Sequence, residues 1–500
     1  MARRRYLVVR SHARVRLRSA FNNHSFVTDD HRVIVSRARV LPKCFRTKPH
    51  NSTRDMASRG DNDDYGDDDD NIDVGENRFI NDGYVEPTMA DDEAFRWCPT
   101  HAPNTAAAAL LTAKSHTTSN DGAYNTSIAV SCDGTRVGVV TTSGRVHVYD
   151  RDETGATHEA FVVDVGRGVN ECAFASSADP HVFALACNDG TCKVYDGRMG
   201  TSSPVAVYRA PFNVEDVESC ALGGDASDAL LAVAVGPHIA FYDRRSTSTA
   251  PLTVFQDAHS ETVTRVRFHP ERRSNLYTAS VDGLVCAFNC EAASGGFNDE
   301  DALISIMSTD AAVNNIGFCR TGASSGTEHD AVWCTTGIEE VHIFVAGGDP
   351  RRVGVPLAHV ANAREAAQRV SAASAPDFAS QVDYIIGVHD GVAPGELYVS
   401  AGTQSGAIGV FPVVRGAPAA IGTPRYVTLD APVAILRNGH RDIVRSMYWD
   451  ANAAMSEASR VPLTCGEDSL VCSWRPSVET DGGPVHVDRA RPPGRRHSPY

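Results

Sequence analysis

His259-Ser-Glu-Thr-Val263-Thr-Arg-Val266-Arg-Phe268-His-Pro-Glu-Arg-Arg-Ser-Asn-Leu-Tyr-Thr-Ala-Ser280-Val-Asp282-Gly-Leu-Val-Cys-Ala-Phe288-Asn289 decides how the rest of the chain is read. It opens with a short run of β-formers, passes through a polar turn into a second run, and turns tightly at Asp282 into a third run that ends on an aromatic residue. The opening frame is Val, two residues, apolar, one residue, apolar. It returns at Val169-Asn-Glu-Cys172-Ala-Phe174, Val217-Glu-Ser-Cys220-Ala-Leu222 and Val313-Asn-Asn-Ile316-Gly-Phe318, with looser copies beginning at Val382 and Val444. Third runs end at Tyr149-Asp150, Tyr195-Asp196, Tyr242-Asp243, Phe288-Asn289, Phe344, Phe411 and Trp474. Only one stretch has a helical composition, so the body from about residue 100 onward is expected to be all-β and repetitive.

Seven such endings, spaced near the roughly 40–45 residues of a four-stranded blade, resemble the WD-repeat family. The resemblance covers about 100 to 475 and implies a seven-bladed β-propeller. It further implies a buried hydrogen-bond network in each blade. His259, Ser280 and Asp282 match three members of that network, with Phe288 in place of the usual Trp. The last copy keeps His440, Asp468 and Trp474 but has Gly466 where Ser or Thr is expected, so both networks are expected to be incomplete. Physically, an Asp carboxylate in a tight turn accepts backbone amides while a His from the preceding loop holds it, and buried polar groups must be paired. A His beside an Asp and a Ser has the composition of a catalytic triad, yet each occupies a repeat position and no GxSxG elbow accompanies them. These residues therefore read as architecture. Cys172 and Cys220 fall at the inward position held elsewhere by Val266, Ile316 and Met447, where they pack as small hydrophobes.

After Trp474 the chain turns rich in Pro, Gly and charge, so no outer strand follows the last blade. The apolar segment Thr105 to Lys114 is expected to supply that strand and close the ring, which removes open sheet edges. Three insertions interrupt the repeats, at 320 to 330, at 451 to 460 and at His359 to Ser374. The last has Ala, Arg, Glu and Gln at helix-favouring density before Pro376, which predicts a short helix between blades five and six, either a cap on that boundary or a partner contact. The chain thus divides into a basic leader (1–54), an acidic segment expected to be disordered (55–95), the propeller (96–475) and a flexible tail (476–500).

Charge is distributed unevenly. The 500 residues carry 47 basic and 62 acidic side chains, a net of −15. Residues 1–54 hold 14 Lys and Arg against Asp29 and Asp30, whereas 55–95 hold 15 acids, including Asp67 to Asp70, against Arg59 and Arg78. The acidic segment has too little apolar content to offset the entropy of ordering. Three readings of the leader stand open: an organelle targeting peptide, a basic arm for RNA or nuclear import, and sequence upstream of a true start at Met56. The propeller itself is mildly acidic, which argues against nucleic-acid binding by the body. Thirteen cysteines, scattered singly without a CxxC pair, indicate neither a disulfide framework nor a zinc site and fit a reducing compartment, the cytoplasm or nucleus. Apolar runs fall short of the roughly 20 residues a bilayer span needs, so no membrane partner is expected.

For function, these features indicate a non-enzymatic scaffold for protein partners, monomeric within a complex, with no catalytic, cofactor or metal residues. A narrower reading is a substrate receptor of a cullin-RING ubiquitin ligase. Tyr195-Asp196-Gly-Arg198 and Tyr242-Asp243-Arg-Arg245 resemble the aromatic-Asp-x-Arg box by which such receptors hold the ligase adaptor, while Tyr149-Asp150-Arg151-Asp152 places an acid where the box needs Arg. A third reading, ribonucleoprotein assembly, rests on the basic leader alone.

Overall fold

The computed structural model describes residues 111–476 apart from 119–121, 154, 176–178, 200–202, 292–297, 322–327, 348–349, 392–394, 416–426 and 450–460. The leader, the acidic segment and the tail beyond 476 lie outside the described residues. Within them the strands form seven antiparallel sheets. Blade one spans 125–164, blade two 169–209, blade three 219–255, blade four 263–308, blade five 313–360 and blade six 382–429, where a short extra strand, Ala434–Leu436, also joins the sheet. Blade seven takes three strands from 444–476 and its fourth from Leu111–Thr117. The chain is an all-β, seven-bladed propeller.

The repeated opening frame has a structural cause. A step of three residues, from Val to the next apolar position, would carry the side chain to the opposite face of a regular strand. A bulge at the start of the first strand corrects this in the five blades where the frame opens the strand. The register slips by one between Val169 and Glu171, Val263 and Arg265, Val313 and Asn315, Val382 and Tyr384, and Val444 and Ser446. Val263 and Val266 are accordingly both buried, as are Val313 and Ile316.

Apolar faces of successive blades pack on one another, as where Leu222, Leu231 and Tyr242 of blade three meet Ala184, Ala186 and Val194 of blade two. Tyrosine hydroxyls bridge blades as well. Tyr242 donates to the Arg209 carbonyl (2.8 Å), Tyr277 donates to that of Ala346 (2.9 Å), and Tyr384 accepts the Val444 amide (2.7 Å). Glu171, in the first strand of blade two, accepts from Ser219 of blade three and Arg267 of blade four. This buried carboxylate ties three blades together, and the repeat frame gave no sign of it.

Ring closure sets Leu111 opposite Pro476 and Thr117 opposite Leu470. The described closing strand, Leu111–Thr117, overlaps the expected Thr105 to Lys114 segment at Leu111 to Lys114 and runs three residues past it; residues 105–110 lie outside the described residues. Polar anchors that an apolar scan overlooks sit at its end. Thr118 Oγ1 donates to the Asn125 side chain (2.7 Å), and Asn125 Nδ2 donates to the Leu470 carbonyl (3.0 Å). The last strand also runs through Pro476, one residue into the expected tail.

The interblade helix is shorter than the sequence predicts. Ala363–Ser371 is helical, while His359 belongs to the preceding outer strand, Pro356–Val360, whose ladder with Val341–Val345 overrides local propensity. Ala363, Ala366 and Ala367 form the buried face, packed with Val360, Phe378 and Val382, and Gln368 Nε2 donates to the Val382 carbonyl (2.8 Å). The helix caps the boundary between blades five and six. Of the two expected polar insertions, 322–327 and 451–460 lie outside the described residues. The base of the first is held by Asp330, which accepts both the amide and the hydroxyl of Thr321 (2.6 Å each). Among the described residues no helix is long and apolar enough to cross a membrane.

Candidate functional site

Two blades carry the histidine networks, and the structure redraws both. In blade four His259 meets Asp282 through Nδ1 (3.1 Å), but its Nε2 lies 2.8 Å from Thr278 Oγ1, two residues before Ser280. Ser280 serves the turn instead, accepting the Asp282 amide (3.1 Å) and donating to the Glu261 carbonyl (3.0 Å). The two hydroxyl residues share a strand face, and the His ring spans far enough along the strand to reach the deeper one. In blade seven His440 Nδ1 lies 3.1 Å from Asp468, Nε2 lies 2.7 Å from Thr464 Oγ1, and Trp474 Nε1 donates to that same hydroxyl (2.8 Å). This network is complete, contrary to the reading from Gly466, because Thr464 holds the hydroxyl position.

With Nδ1–H directed at the carboxylate, Nε2 accepts the Thr464 hydroxyl, and that hydroxyl accepts the indole N–H. Burial works to raise the Asp468 carboxyl, but the hydrogen bond from His440, with those from the Arg441 and Leu470 amides, outweighs it and holds the group below its ordinary value. Asp282 follows the same balance with His259, Ser260 and Leu284. Neither histidine side chain is exposed, at 0% each, so no substrate reaches them. Their chemistry is spent on fixing turns.

Arg198 and Arg245 sit just beyond the third strands of blades two and three, 53% and 65% exposed. Each guanidinium is held by its own Asp. Arg198 donates to Asp196 (2.8 and 2.9 Å) and to Asp179 (2.9 Å), and Arg245 donates to Asp243 (3.1 Å). The Arg198 hydrogen bond holds the Asp196 carboxyl below its ordinary value, and Arg245 does the same for Asp243. Arg151 differs. It is buried and donates to the Gly134 carbonyl (3.4 Å) and, across the blade boundary, to that of Val461 (3.0 Å).

Ten described cysteines are buried free thiols. Cys172 and Cys220 line the apolar interior, and burial pushes the Cys286 and Cys334 thiols up to about 12, which leaves them protonated and inert. Among the described residues one set of three side chains has metal-ligand geometry: Glu340, His342 and His359. It depends on a strand register that the sequence does not display.

The closed seven-sheet ring and the His-Asp-Thr networks define a WD-repeat β-propeller. The family described as WD domain, G-beta repeat matches residues 250–289, the stretch containing His259 and Asp282. The chain is 31% identical over 355 residues to the WD repeat-containing protein GTS1 of Arabidopsis thaliana, a match covering 66% of this chain and 78% of that protein. It is 27% identical over 349 residues to the WD repeat-containing protein 89 homolog of Dictyostelium discoideum, covering 66% and 80%. The chain belongs to the WD-repeat protein family. Proteins of this family are in general non-enzymatic and serve as protein-interaction platforms.

Proposed function

We propose that this propeller is a non-enzymatic scaffold that binds protein partners in the cytoplasm or nucleus. The observation that carries the reading is the fate of its His, Asp and hydroxyl groups: where they cluster, at His259 and His440, they are buried and committed to turns. Surface contacts remain as the means of action. Met199, Val205 and Val207 of blade two are exposed, and apolar side chains open to solvent offer contact surface to a partner. Buried, protonated thiols suit a reducing compartment.

A second reading, attachment to a cullin-RING ligase adaptor, is favoured by the equivalent, exposed placement of Arg198 and Arg245 on adjacent blades. Their Asp partners orient each guanidinium, and the planar fork suits carbonyl and carboxylate acceptors. Ribonucleoprotein assembly stands behind both, on the charge of residues 1–54. Tagged full-length protein, recovered from cells with what it binds and compared with Arg198→Ala/Arg245→Ala, separates them. Adaptor and cullin captured by the parent and lost from the double variant, with unchanged melting because exposed ion pairs contribute little, supports the ligase reading. Ribosomal or nucleolar proteins in the eluate support the third. A chain that recovers no protein partner contradicts the scaffold itself. Arg151→Ala is unsuitable as a neutral control, because it orphans a buried carbonyl and should cost about 1–3 kcal/mol.

A further inference from the structure

We infer that Glu340, His342 and His359 form a site for a single divalent transition-metal ion of the Zn2+ class, on the outer half of blade five. The turn before the third strand fixes the carboxylate. Glu339 takes a left-handed conformation (φ 63°) and donates its amide to the Thr336 carbonyl (3.0 Å), while the Glu340 amide donates to Thr336 Oγ1 (3.1 Å). Glu339 itself is held by Arg364 (2.8 Å), leaving Glu340 to face the histidines. Residues two apart on a strand share a face, so Glu340 and His342 point the same way. His359 lies directly opposite His342 in the ladder, and their rings stack with centroids 4.1 Å apart and planes 20° apart, so that joint ligation requires the two rings to splay apart.

The distances suit an ion as well as the long hydrogen bond between His342 Nε2 and Glu340. Glu340 Oε2 lies 3.3 Å from His342 Nε2 and 3.3 Å from His359 Nε2, and all three ligand atoms fall within 4.8 Å of one another. A charge-assisted N–H···O bond is shorter, about 2.7–2.9 Å. A tetrahedral ion with bonds of about 2.0–2.1 Å sets its ligand atoms about 3.3–3.4 Å apart. Side-chain exposures of 14% for His342, 17% for Glu340 and 23% for His359 leave the cluster partly open to solvent, from which water would complete the shell. Two imidazoles and one carboxylate select a transition metal over Mg2+ or Ca2+, which prefer all-oxygen shells. The ion would clasp the third and fourth strands of blade five at the edge of the disc.

Metal-stripped full-length protein, titrated with Co2+ and then Zn2+, tests this by visible absorption and calorimetry. One equivalent of Co2+ should bind with tetrahedral bands that lack thiolate charge transfer, be displaced by Zn2+, and raise the melting temperature. His359→Gln and Glu340→Gln should each lose that equivalent while melting like the metal-free parent. Because the two changes lie on different strands, a folding defect in one leaves the other as the test. Ions bound through cysteines or the acidic segment would be untouched by either substitution. Retention of the nitrogen/oxygen-type equivalent in a folded variant, or absence of that equivalent in the parent, would overturn the site.

Discussion

Blades four and seven offer one substitution in two settings. Thr464→Val removes a hydroxyl that accepts Trp474 Nε1–H (2.8 Å) and serves His440 Nε2 (2.7 Å), so two buried groups lose their partner. Thr278→Val does the same in blade four, where Phe288 occupies the position of Trp474, so only His259 Nε2 (2.8 Å) is orphaned. Each orphaned buried group costs about 1–3 kcal/mol, which gives about 2–6 kcal/mol for Thr464→Val and about 1–3 kcal/mol for Thr278→Val. The added methyl group is common to both and largely cancels in the comparison, leaving the indole hydrogen bond as the difference. Urea unfolding should be followed by both tryptophan fluorescence and far-UV circular dichroism, because a ring of seven sheets can open locally before it unfolds. Equal losses, or a larger loss at Thr278, would show that Trp474 finds another partner and would refute the reasoning.

Two further outcomes are expected. A chain beginning at residue 96 should remain soluble and melt cooperatively, whereas one beginning at 118 lacks the strand paired with Leu470–Pro476 and should aggregate through the exposed edge; indistinguishable gel filtration and melting of the two would contradict closure by that strand. Stability should also decline on acidification in two stages. Burial holds His389 near 4 against an ordinary 6.5, so the unfolded chain takes up a proton that the folded one refuses, and this contribution is complete above about 6.5 and lost as pH falls toward 4. Asp282 and Asp468, depressed below 3.8, lose theirs only at still lower pH, so urea midpoints that stay level from about pH 7 to 4.5 would rule out the His389 contribution.

Blade count and strand order were legible because the pattern that encodes them is local. Each third strand ends on a large aromatic that fills the space between blades, and the first strands of blades two, four, five, six and seven begin with a Val followed at once by a bulge. Identity of the network hydroxyl was not legible in the same way. Thr278 and Ser280 share a face, and only the reach of the His259 ring tells them apart. Gly466 misled for a physical reason. The hydroxyl lies two residues before the turn position, at Thr464, just as blade four uses Thr278 although Ser280 stands nearer the turn; at Gly466 itself a Cβ would lie 2.9 Å from the Ile443 carbonyl and 3.1 Å from His440 Nδ1. The Glu340, His342 and His359 cluster was hidden for another cause, since its histidines are 17 positions apart in the chain and meet only through the pairing of the third and fourth strands.

The arginines after each aromatic-Asp pair show how one repeat position divides between fold and surface. Arg151 and Arg244 both follow their Asp immediately, and both turn back to a carbonyl of the loop between the first two strands of their own blade, Gly134 and Asp228 (2.5 Å for the latter). In blade two that first position is Gly197, where a Cβ would lie 2.6 Å from Arg136 Nη1 of blade one, so the side chain of Arg136, paired with Asp150 (3.0 Å), fills the space beside it. One residue later the strand's alternation reverses the direction, and Asp152, Arg198 and Arg245 are all exposed. Substitution at the first position therefore acts on interblade packing whatever the partner is. The second position is an exposed acid in blade one and an exposed arginine in blades two and three, so a change there meets solvent before it meets the neighbouring blade.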